Sequence, residues 1–399
     1  MKLKNILTTT IAVMVVLILT PQQLRAIPAF ARKYQISCQV CHSPAPNLKP
    51  FGDDFAGNGY RMTEYESPRY FIPTGDDKLS LHRELPVAIR LDGVVTYNFG
   101  KNKTADFATL SGVKLLSGGE LSDKLSYYMY FFMSEGGEIV GVEDAFLTYS
   151  DLFGSGINIS AGQFQLCDPF YKRELRLTVE DLAILTAVPG QSTASLTYDR
   201  GLMIDYSIPK LNTTIVGEVS NGNGLSIGGE EFIFDRDSYK NFTGIILQPL
   251  GKYINLGFMG YSGRERNFSG LNNYYSDVRL FGPILNLDFD QFFMVNIQYI
   301  KRMDSQVFDE DAASFIDDNV TQGGYIEAKY APKGDMSKYY LTGLLNWVES
   351  DYEPLNYKSA TLNFSYVLRR NVRLLAEYTY LDGEEGKYGK LSCGFMAAF

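Results

Sequence analysis

The chain has 399 residues, a formal net charge of −9 and 14% aromatic residues, with 28 Tyr and 26 Phe. The acidic balance excludes a nucleic-acid-binding protein, because contact with phosphates requires a concentrated basic surface. The aromatic residues and 37 Gly favour a strand-rich chain over a helical one.

The amino terminus is predicted to be a secretory signal peptide over residues 1–26, with a second possible cleavage site after Ala31. Residues 1–4 are basic at two positions and residues 6–20 form an apolar run, an arrangement typical of export signals. The run is short for a membrane-spanning helix, and no later apolar run reaches the ~18 residues such a helix needs. A mature chain in a membrane would therefore cross it with strands.

Cys38, Cys41 and His42 form a C-x-x-C-H pattern, which is typical of covalent haem attachment. The two thiols add to the haem vinyl groups, and the adjacent histidine binds the iron from one side. We predict one haem c on Cys38 and Cys41, with His42 as the proximal ligand. For the distal ligand the sequence leaves three alternatives: His82, which is the only other histidine, Met62, or an open position. A zinc site of Cys38, Cys41 and His82 is the chemical alternative, but it leaves His42 unexplained.

Residues 27–84 are predicted to form a small monohaem cytochrome module, because they are rich in Pro, Gly and Asp and show no strand alternation. Phe51 and Phe55 lie at i and i+4, a spacing that suits packing against a macrocycle. The two remaining cysteines, Cys167 and Cys393, are isolated, and whether they pair is left open.

Residues 85–399 are predicted to form the barrel of an all-β protein, an antiparallel transmembrane outer-membrane β-barrel of about sixteen strands. Segments of about ten residues alternate between apolar and polar side chains and are separated by Gly, Asn and Asp clusters. In one of them Ala360, Leu362 and Phe364 oppose Ser359, Thr361 and Asn363. A soluble sandwich or propeller, the alternative fold, would not place polar residues on the face that packs. The predicted strands are 86–98, 105–117, 123–133, 138–149, 155–164, 194–207, 211–219, 240–249, 252–262, 274–286, 290–302, 322–331, 337–348, 357–368, 371–381 and 388–399.

The predicted connections alternate between short turns on the periplasmic side and longer extracellular loops, as in outer-membrane barrels. The long loops are predicted over 165–193, 220–239 and 303–321. In the first loop, Thr178 is a candidate cap for a short helix with Asp181 at its third position. This segment would either fold inward over the haem or lie on the surface. The chain ends in an alternating strand with a terminal Phe, which resembles the carboxyl-terminal signal of bacterial outer-membrane barrels.

The stretch "PAFARKYQISCQVCHSPAPNLKPFGDDFAGNGY" resembles the amino-terminal module of the fused cytochrome-porins, in which a monohaem c-type domain precedes an outer-membrane barrel. The matching positions are Cys38, Cys41, His42, Pro46, Phe51, Gly52, Phe55, Gly59 and Tyr60. The best-known members of that family are outer-membrane iron oxidases. The resemblance implies haem c as cofactor and, as partners, an extracellular reductant such as Fe(II) and a periplasmic electron carrier.

The predicted function is electron transfer across the outer membrane of a Gram-negative bacterium, where the barrel would contact lipid and lipopolysaccharide. The apolar band of such a barrel is ~25 Å tall, so a single haem can serve both sides only from within the lumen. We therefore expect residues 32–80 to occupy the lumen. The alternative function is a diffusion porin or solute channel with a haem-containing plug or redox sensor.

The predicted extracellular loops are acidic, which would concentrate divalent cations such as Fe(II) at the mouth. Loops bridged to lipopolysaccharide by Mg²⁺ or Ca²⁺ are the alternative explanation. The acidic residues are Glu230, Glu231, Asp235, Asp237, Asp304, Asp309, Glu310, Asp311, Asp317, Asp318, Glu349, Asp351 and Glu353.

Overall fold

The computed structural model describes residues 29–62, 72, 75–76, 78–79, 81–82, 86–100, 103–135, 138, 141–166, 173–225, 234–235, 237–269, 272–384 and 386–399. The predicted signal peptide, Cys167, Glu230 and Glu231 lie outside these residues.

Within the described residues, sixteen antiparallel strands close into a barrel in which each strand pairs with its neighbours in sequence and β1 pairs with β16. This confirms the predicted fold class and strand number. The strands are β1 (Val87–Asn98), β2 (Thr104–Glu120), β3 (Leu125–Glu135), β4 (Gly141–Tyr149), β5 (Ile157–Gln165), β6 (Tyr198–Ile208), β7 (Thr213–Ser220), β8 (Asn241–Leu250), β9 (Ile254–Ser269), β10 (Asn272–Phe289), β11 (Phe293–Asp309), β12 (Ser314–Tyr330), β13 (Tyr339–Ser350), β14 (Tyr357–Arg369), β15 (Val372–Gly383) and β16 (Gly386–Ala398).

The side chains of each strand alternate between a buried inner face and an exposed outer face. In β14 the inner positions Ser359, Thr361 and Asn363 are buried, whereas Leu362 and Phe364 on the outer face are exposed. An exposed apolar belt around a buried polar face is the inverse of a soluble protein and is the arrangement of a barrel surrounded by lipid. The soluble sandwich or propeller is thereby excluded.

The two ends of the barrel differ in the length of their connections. One end carries the start of β1 and the end of β16, and we call it the terminal end. Its turns are short, the longest being 331–338. The opposite end, which we call the loop end, carries the long connections 166–197 and 221–240, close to two of the three predicted loops. No helix in the described part of the chain is long and apolar enough to cross a membrane.

The third predicted loop, over residues 303–321, is wrong. The ladder between β11 and β12 continues as far as the pair Asp309 and Ser314, so only a four-residue turn, 310–313, connects the strands. Charged residues on these strand ends are compatible with strand structure because the hairpin extends into solvent. Asp304 does not belong to an external acidic cluster either: it is buried and bonded to Arg302, with Nη2 and Oδ1 2.7 Å apart.

The described residues 173–197 of the connection between β5 and β6 fold into the lumen. Its short helix α3 (Ala183–Thr186) buries Ile184 and Leu185 in one cluster with inward side chains of β10 such as Val278 and Leu280. The predicted helix cap at Thr178 is wrong, because the helix begins after Leu182 without a side-chain cap. The Thr178 hydroxyl instead donates a 2.8 Å hydrogen bond to the Glu180 carbonyl.

The amino-terminal segment 29–62 lies against the inner face of the barrel. Its two helices are α1 (Ala29–Tyr34) and α2 (Pro50–Gly57). Aromatic side chains of the segment form a buried cluster with β3, and Tyr60 stacks on Tyr128 with ring centroids 4.2 Å apart. Offset aromatic pairs of this kind contribute about 0.5–1.5 kcal/mol beyond area burial.

Candidate functional site

The C-x-x-C-H segment is a single tight turn. Residues Cys38–Val40 form a 3-10 helix capped by the Ser37 hydroxyl, which accepts a hydrogen bond from the amide of the second helical residue. The Cys38 carbonyl accepts the amides of both Cys41 (3.3 Å) and His42 (2.9 Å). The structure therefore brings the two thiols and the imidazole together on one turn, and both cysteines are free.

The His42 imidazole is oriented by the backbone. Its Nδ1 lies 3.0 Å from the Pro46 carbonyl oxygen. Because a carbonyl only accepts, Nδ1 carries the proton and Nε2 keeps its lone pair. Burial lowers the pKa of His42, so the ring is neutral near pH 7. A neutral histidine whose second ring nitrogen donates to a carbonyl is the usual state of a metal-binding histidine.

Close packing holds this turn against helix α2. The Cys41 carbonyl accepts the Lys49 amide at 2.8 Å, and Pro50 occupies the first turn of α2, where a missing N–H has no cost. A Cβ atom added to Gly52 would lie 2.5 Å from the Cys41 carbonyl oxygen. Glycine at this position is therefore required by the close approach of the helix to the turn.

Two lysines connect the turn to the terminal end of the barrel. Lys329, fully buried on the inner face of β12, donates to the Ser43 carbonyl (2.7 Å) and to Asn47 Oδ1 (3.0 Å). Lys49 Nζ lies 2.8 Å from Asp335 Oδ2 in the turn between β12 and β13. These contacts place the C-x-x-C-H turn inside the barrel, at its terminal end.

The two candidate distal ligands contact the wall of the barrel at β2 and β3. The ring of His82 is against the β2 end, with Nε2 2.6 Å from the Glu120 carbonyl, and Met62 packs on the aromatic cluster beside β3. Phe51 is 44% exposed, whereas Phe55 is buried in that cluster. Among the described residues no three His, Cys, Asp or Glu side chains form a metal-binding group, so the structure does not assemble the alternative zinc site.

A small, partly open cavity adjoins Cys38 and His42. The barrel contributes part of its wall through Asp335, Tyr340, Val367 and Arg370. The sequence analysis missed these residues, because they lie about three hundred positions further along the chain. The only signal in the sequence is weak: the pair Arg369-Arg370 occupies a predicted short turn.

Buried carboxylates of the barrel hold the inserted connection in place. Glu265 Oε2 on β9 accepts the amides of Thr193 (2.8 Å) and Ala194 (3.0 Å). Glu377 on β15 accepts those of Val179 (2.7 Å) and Glu180 (2.8 Å). Amide bonds to an ionised acceptor are among the stronger hydrogen bonds in proteins, so the connection is fixed at both ends.

Comparison with solved structures identifies the fold. The barrel is similar to an anion-selective porin from Comamonas acidovorans, with a TM-score of 0.56 and 9% identity over 79% of this chain and 99% of the porin. It is also similar to the outer membrane channel DcaP of Acinetobacter baumannii (TM-score 0.53, 14% identity, 78% and 96% coverage). OmpT, an outer membrane protein of Vibrio cholerae, aligns with a TM-score of 0.53 at 12% identity, with 78% and 98% coverage.

No protein-family model matches the sequence, and no curated protein sequence matches it. At these identities the structural likeness concerns the fold alone. The chain has the sixteen-stranded antiparallel barrel fold of outer-membrane porins.

Proposed function

We propose that this chain is an outer-membrane barrel that carries electrons through one haem c attached to Cys38 and Cys41. The observation that carries the proposal is the hydrogen bond between His42 Nδ1 and the Pro46 carbonyl oxygen, 3.0 Å long. It leaves Nε2 available for iron on the same turn as both thiols. A porin that needed only a plug would have no use for this combination of groups.

The residues of the site fit a covalent haem. Cys38 and Cys41 would form the thioether bonds, and His42 would bind the iron from one face. The haem supplies one-electron redox chemistry when bound. The protein positions the attachment turn through Lys49 and Lys329, and the small cavity lies beside it. His82 and Met62 remain candidates for the distal ligand, together with an open position.

The packing of the lumen supports electron transfer over diffusion of solutes. Inner side chains at several heights of β12 and β13 are fully buried, among them Thr321, Tyr325, Lys329 and Leu344. Water in an open channel would contact such side chains, so their burial indicates that protein fills this part of the lumen. Hydrated solutes do not cross packed protein, so this packing disfavours a diffusion channel.

The location that we propose is the outer membrane of a Gram-negative bacterium, with the terminal end in the periplasm. The porin fold and the exposed apolar belt support it, and the belt would contact lipid and lipopolysaccharide. The haem would then lie on the periplasmic side, within reach of a soluble electron carrier.

The proposed donor is an extracellular reductant, with Fe(II) as the first candidate. Asp309, Glu310, Asp311 and Glu384 all act on Tyr352 at the loop end, where burial and then these charges raise the pKa of the phenol. These acidic residues come from the β11–β12 and β15–β16 hairpins and surround a third connection, and their field raises the local concentration of cations.

The test is a redox assay on the purified barrel after expression with a cytochrome c maturation system. We expect a covalent haem band on denaturing gels, reduction by Fe(II), and reoxidation by a periplasmic cytochrome. The variant Cys38→Ala with Cys41→Ala should fold into the same barrel without the band. A wild-type protein without covalent haem would contradict the proposal.

The second candidate is a diffusion porin or solute channel, and the fold comparison favours it more directly than electron transfer. The similar structures include an anion-selective porin and an outer membrane channel. Conductance in planar bilayers separates the two candidates. The electron-transfer proposal expects the wild-type barrel to stay closed, whereas stable porin-sized conductance without redox turnover would establish the channel.

A further inference from the structure

We propose that Arg370, in the turn between β14 and β15, is the barrel's own ligand for a carboxylate of the bound haem. This inference rests on the proposed function, because the carboxylate is a propionate of a ring attached to Cys38 and Cys41. It adds that the cofactor site is shared: the amino-terminal segment attaches the ring, and the barrel wall binds its acidic edge.

The backbone beside Arg370 is held by a hydrogen bond between neighbouring turns. Arg370 lines the same cavity as Cys38 and His42, and so does Val367, three residues earlier at the end of β14. The Val367 amide donates a 2.7 Å hydrogen bond to the Lys338 carbonyl, which ties this end of β14 to β13. The guanidinium is therefore carried by a hydrogen-bonded hairpin.

The other cations near the cavity are already used. Lys49 Nζ donates to the Gln39 carbonyl and to Asp335 Oδ2, each at 2.8 Å. Lys329 Nζ donates to Ser43, Asn47 and Gln291 at 2.7, 3.0 and 3.2 Å, which uses all three ammonium hydrogens. The charge of Lys49 is already paired with Asp335, and Lys329 has no ammonium hydrogen left for a further anion.

Arg370 differs from both lysines. In the described part of the chain no acceptor bonds its guanidinium and no ion pair neutralises it. Asp335 is the only acidic side chain among the described residues that line the cavity, and Lys49 neutralises it. The cavity therefore presents one uncompensated positive charge with five N–H donors.

A haem propionate fits this charge. Thioether formation uses the vinyl groups of the ring and leaves its two carboxylates free, so the cofactor arrives with negative charge that needs a partner. The planar fork of arginine binds a carboxylate through two parallel hydrogen bonds, which a lysine cannot do. The cationic partner also opposes the additional positive charge of ferric iron, so it favours the reduced form.

The test compares Arg370→Gln with Arg369→Gln in spectroelectrochemical titrations of the purified haem-loaded barrel. Arg369 is exposed, has the same charge and precedes Arg370 directly, but it does not line the cavity. At a fixed potential we expect R370Q to shift the ratio of oxidised to reduced haem about tenfold towards oxidised, which corresponds to 59 mV for one electron. R369Q should shift it less than twofold, and Arg370→Lys should recover part of the ratio.

Two outcomes would overturn the inference while the proposed function stands: no shift in R370Q, or equal shifts in R370Q and R369Q. Failure of the proposed function is seen earlier and separately, as the absence of covalent haem absorbance in the wild-type barrel. Neither substitution should prevent folding, because both arginines lie exposed at a turn. The heat-modified gel mobility of each variant shows whether its barrel has formed.

Discussion

The hydrogen bond that orients His42 depends on how closely the backbone packs beside it. Gly52 permits helix α2 to approach the Cys41 carbonyl, and the same carbonyl accepts the Lys49 amide. The sequence showed the thiols and the imidazole, whose spacing is dictated by covalent chemistry. The sequence does not show why residue 52 is glycine, because the cause is the close contact between helix α2 and the Cys41 carbonyl.

We expect Gly52→Ala to loosen the amino-terminal segment. Its Cβ would lie 2.5 Å from the Cys41 carbonyl oxygen and 2.9 Å from Leu48 Cδ2, and overpacking of this kind costs about 1–3 kcal/mol. Amide hydrogen exchange over residues 29–62 should accelerate about 5- to 150-fold, with no change in the barrel. Gly57→Ala is the matched control, because no atom lies within 4 Å of its added Cβ. Equal acceleration in both variants would exclude the packing argument.

Glu174, in the inserted connection, is predicted to make lumen closure depend on pH. Burial disfavours its charge, but Lys114, Arg176 and Arg90 outweigh that effect and lower the pKa of Glu174 to about 2. Because the folded-state pKa is below the ordinary 4.5, the stabilisation is complete above pH 4.5 and is lost as the pH falls towards 2.

Planar-bilayer conductance between pH 6 and pH 2 measures this effect. The wild type should stay closed above pH 4.5 and open increasingly below it. Glu174→Gln removes the charge at every pH, so its conductance should already be raised at pH 6 and should change less on acidification. If the conductance of the wild type and of the variant depends on pH in the same way, Glu174 does not hold the connection.

At the scale of single elements, the inserted connection is the part that the sequence analysis described least well. The sequence predicts a long loop over 165–193 but does not indicate whether it folds inward. The inward side chains of β10, such as Val278 and Leu280, are apolar because the connection packs on them. In the sequence they cannot be distinguished from lipid-facing residues, since both environments favour apolar side chains.

We expect Glu265→Ala to release the end of this connection. The Thr193 and Ala194 amides would each lose a hydrogen bond to a charged acceptor, at about 1.5–3 kcal/mol per bond. Single-channel recordings should show frequent openings that the wild type lacks. The control is Arg264→Ala on the same strand, which removes a half-exposed ion pair with Asp277 that solvent screens and that contributes little to stability. Openings of similar frequency in the control would refute the anchoring role.

At the scale of the whole molecule, closure of the barrel depends on its last residue. The Phe399 amide donates to the Ile89 carbonyl at 2.9 Å, and the Ile89 amide donates to Phe399 at 2.7 Å. These two bonds extend the ladder between β1 and β16 beyond Ala398. The backbone of Phe399 thus contributes to the pairing that closes the barrel.

Deletion of Phe399 should lower the stability of the closed barrel by about 2 kcal/mol, since a neutral hydrogen bond contributes about 0.5–1.5 kcal/mol. The midpoint of urea unfolding, followed by heat-modified gel mobility, should decrease. Phe399→Ala retains both backbone bonds and should keep most of the stability. If the alanine variant loses as much as the deletion, the side chain, not the backbone pairing, is responsible.

The sequence by itself determined the barrel and the chemistry of one turn. Period-two alternation identifies strands with one polar and one apolar face, and C-x-x-C-H places its reactive groups within five consecutive residues, so both signals are local. The tertiary structure alone decided that the turn lies inside the terminal end and that Tyr340 and Arg370 border its cavity. It also decided that residues 173–197 pack on the inner face of the barrel. Those contacts join residues up to about three hundred positions apart, and local patterns contain no information about such pairs.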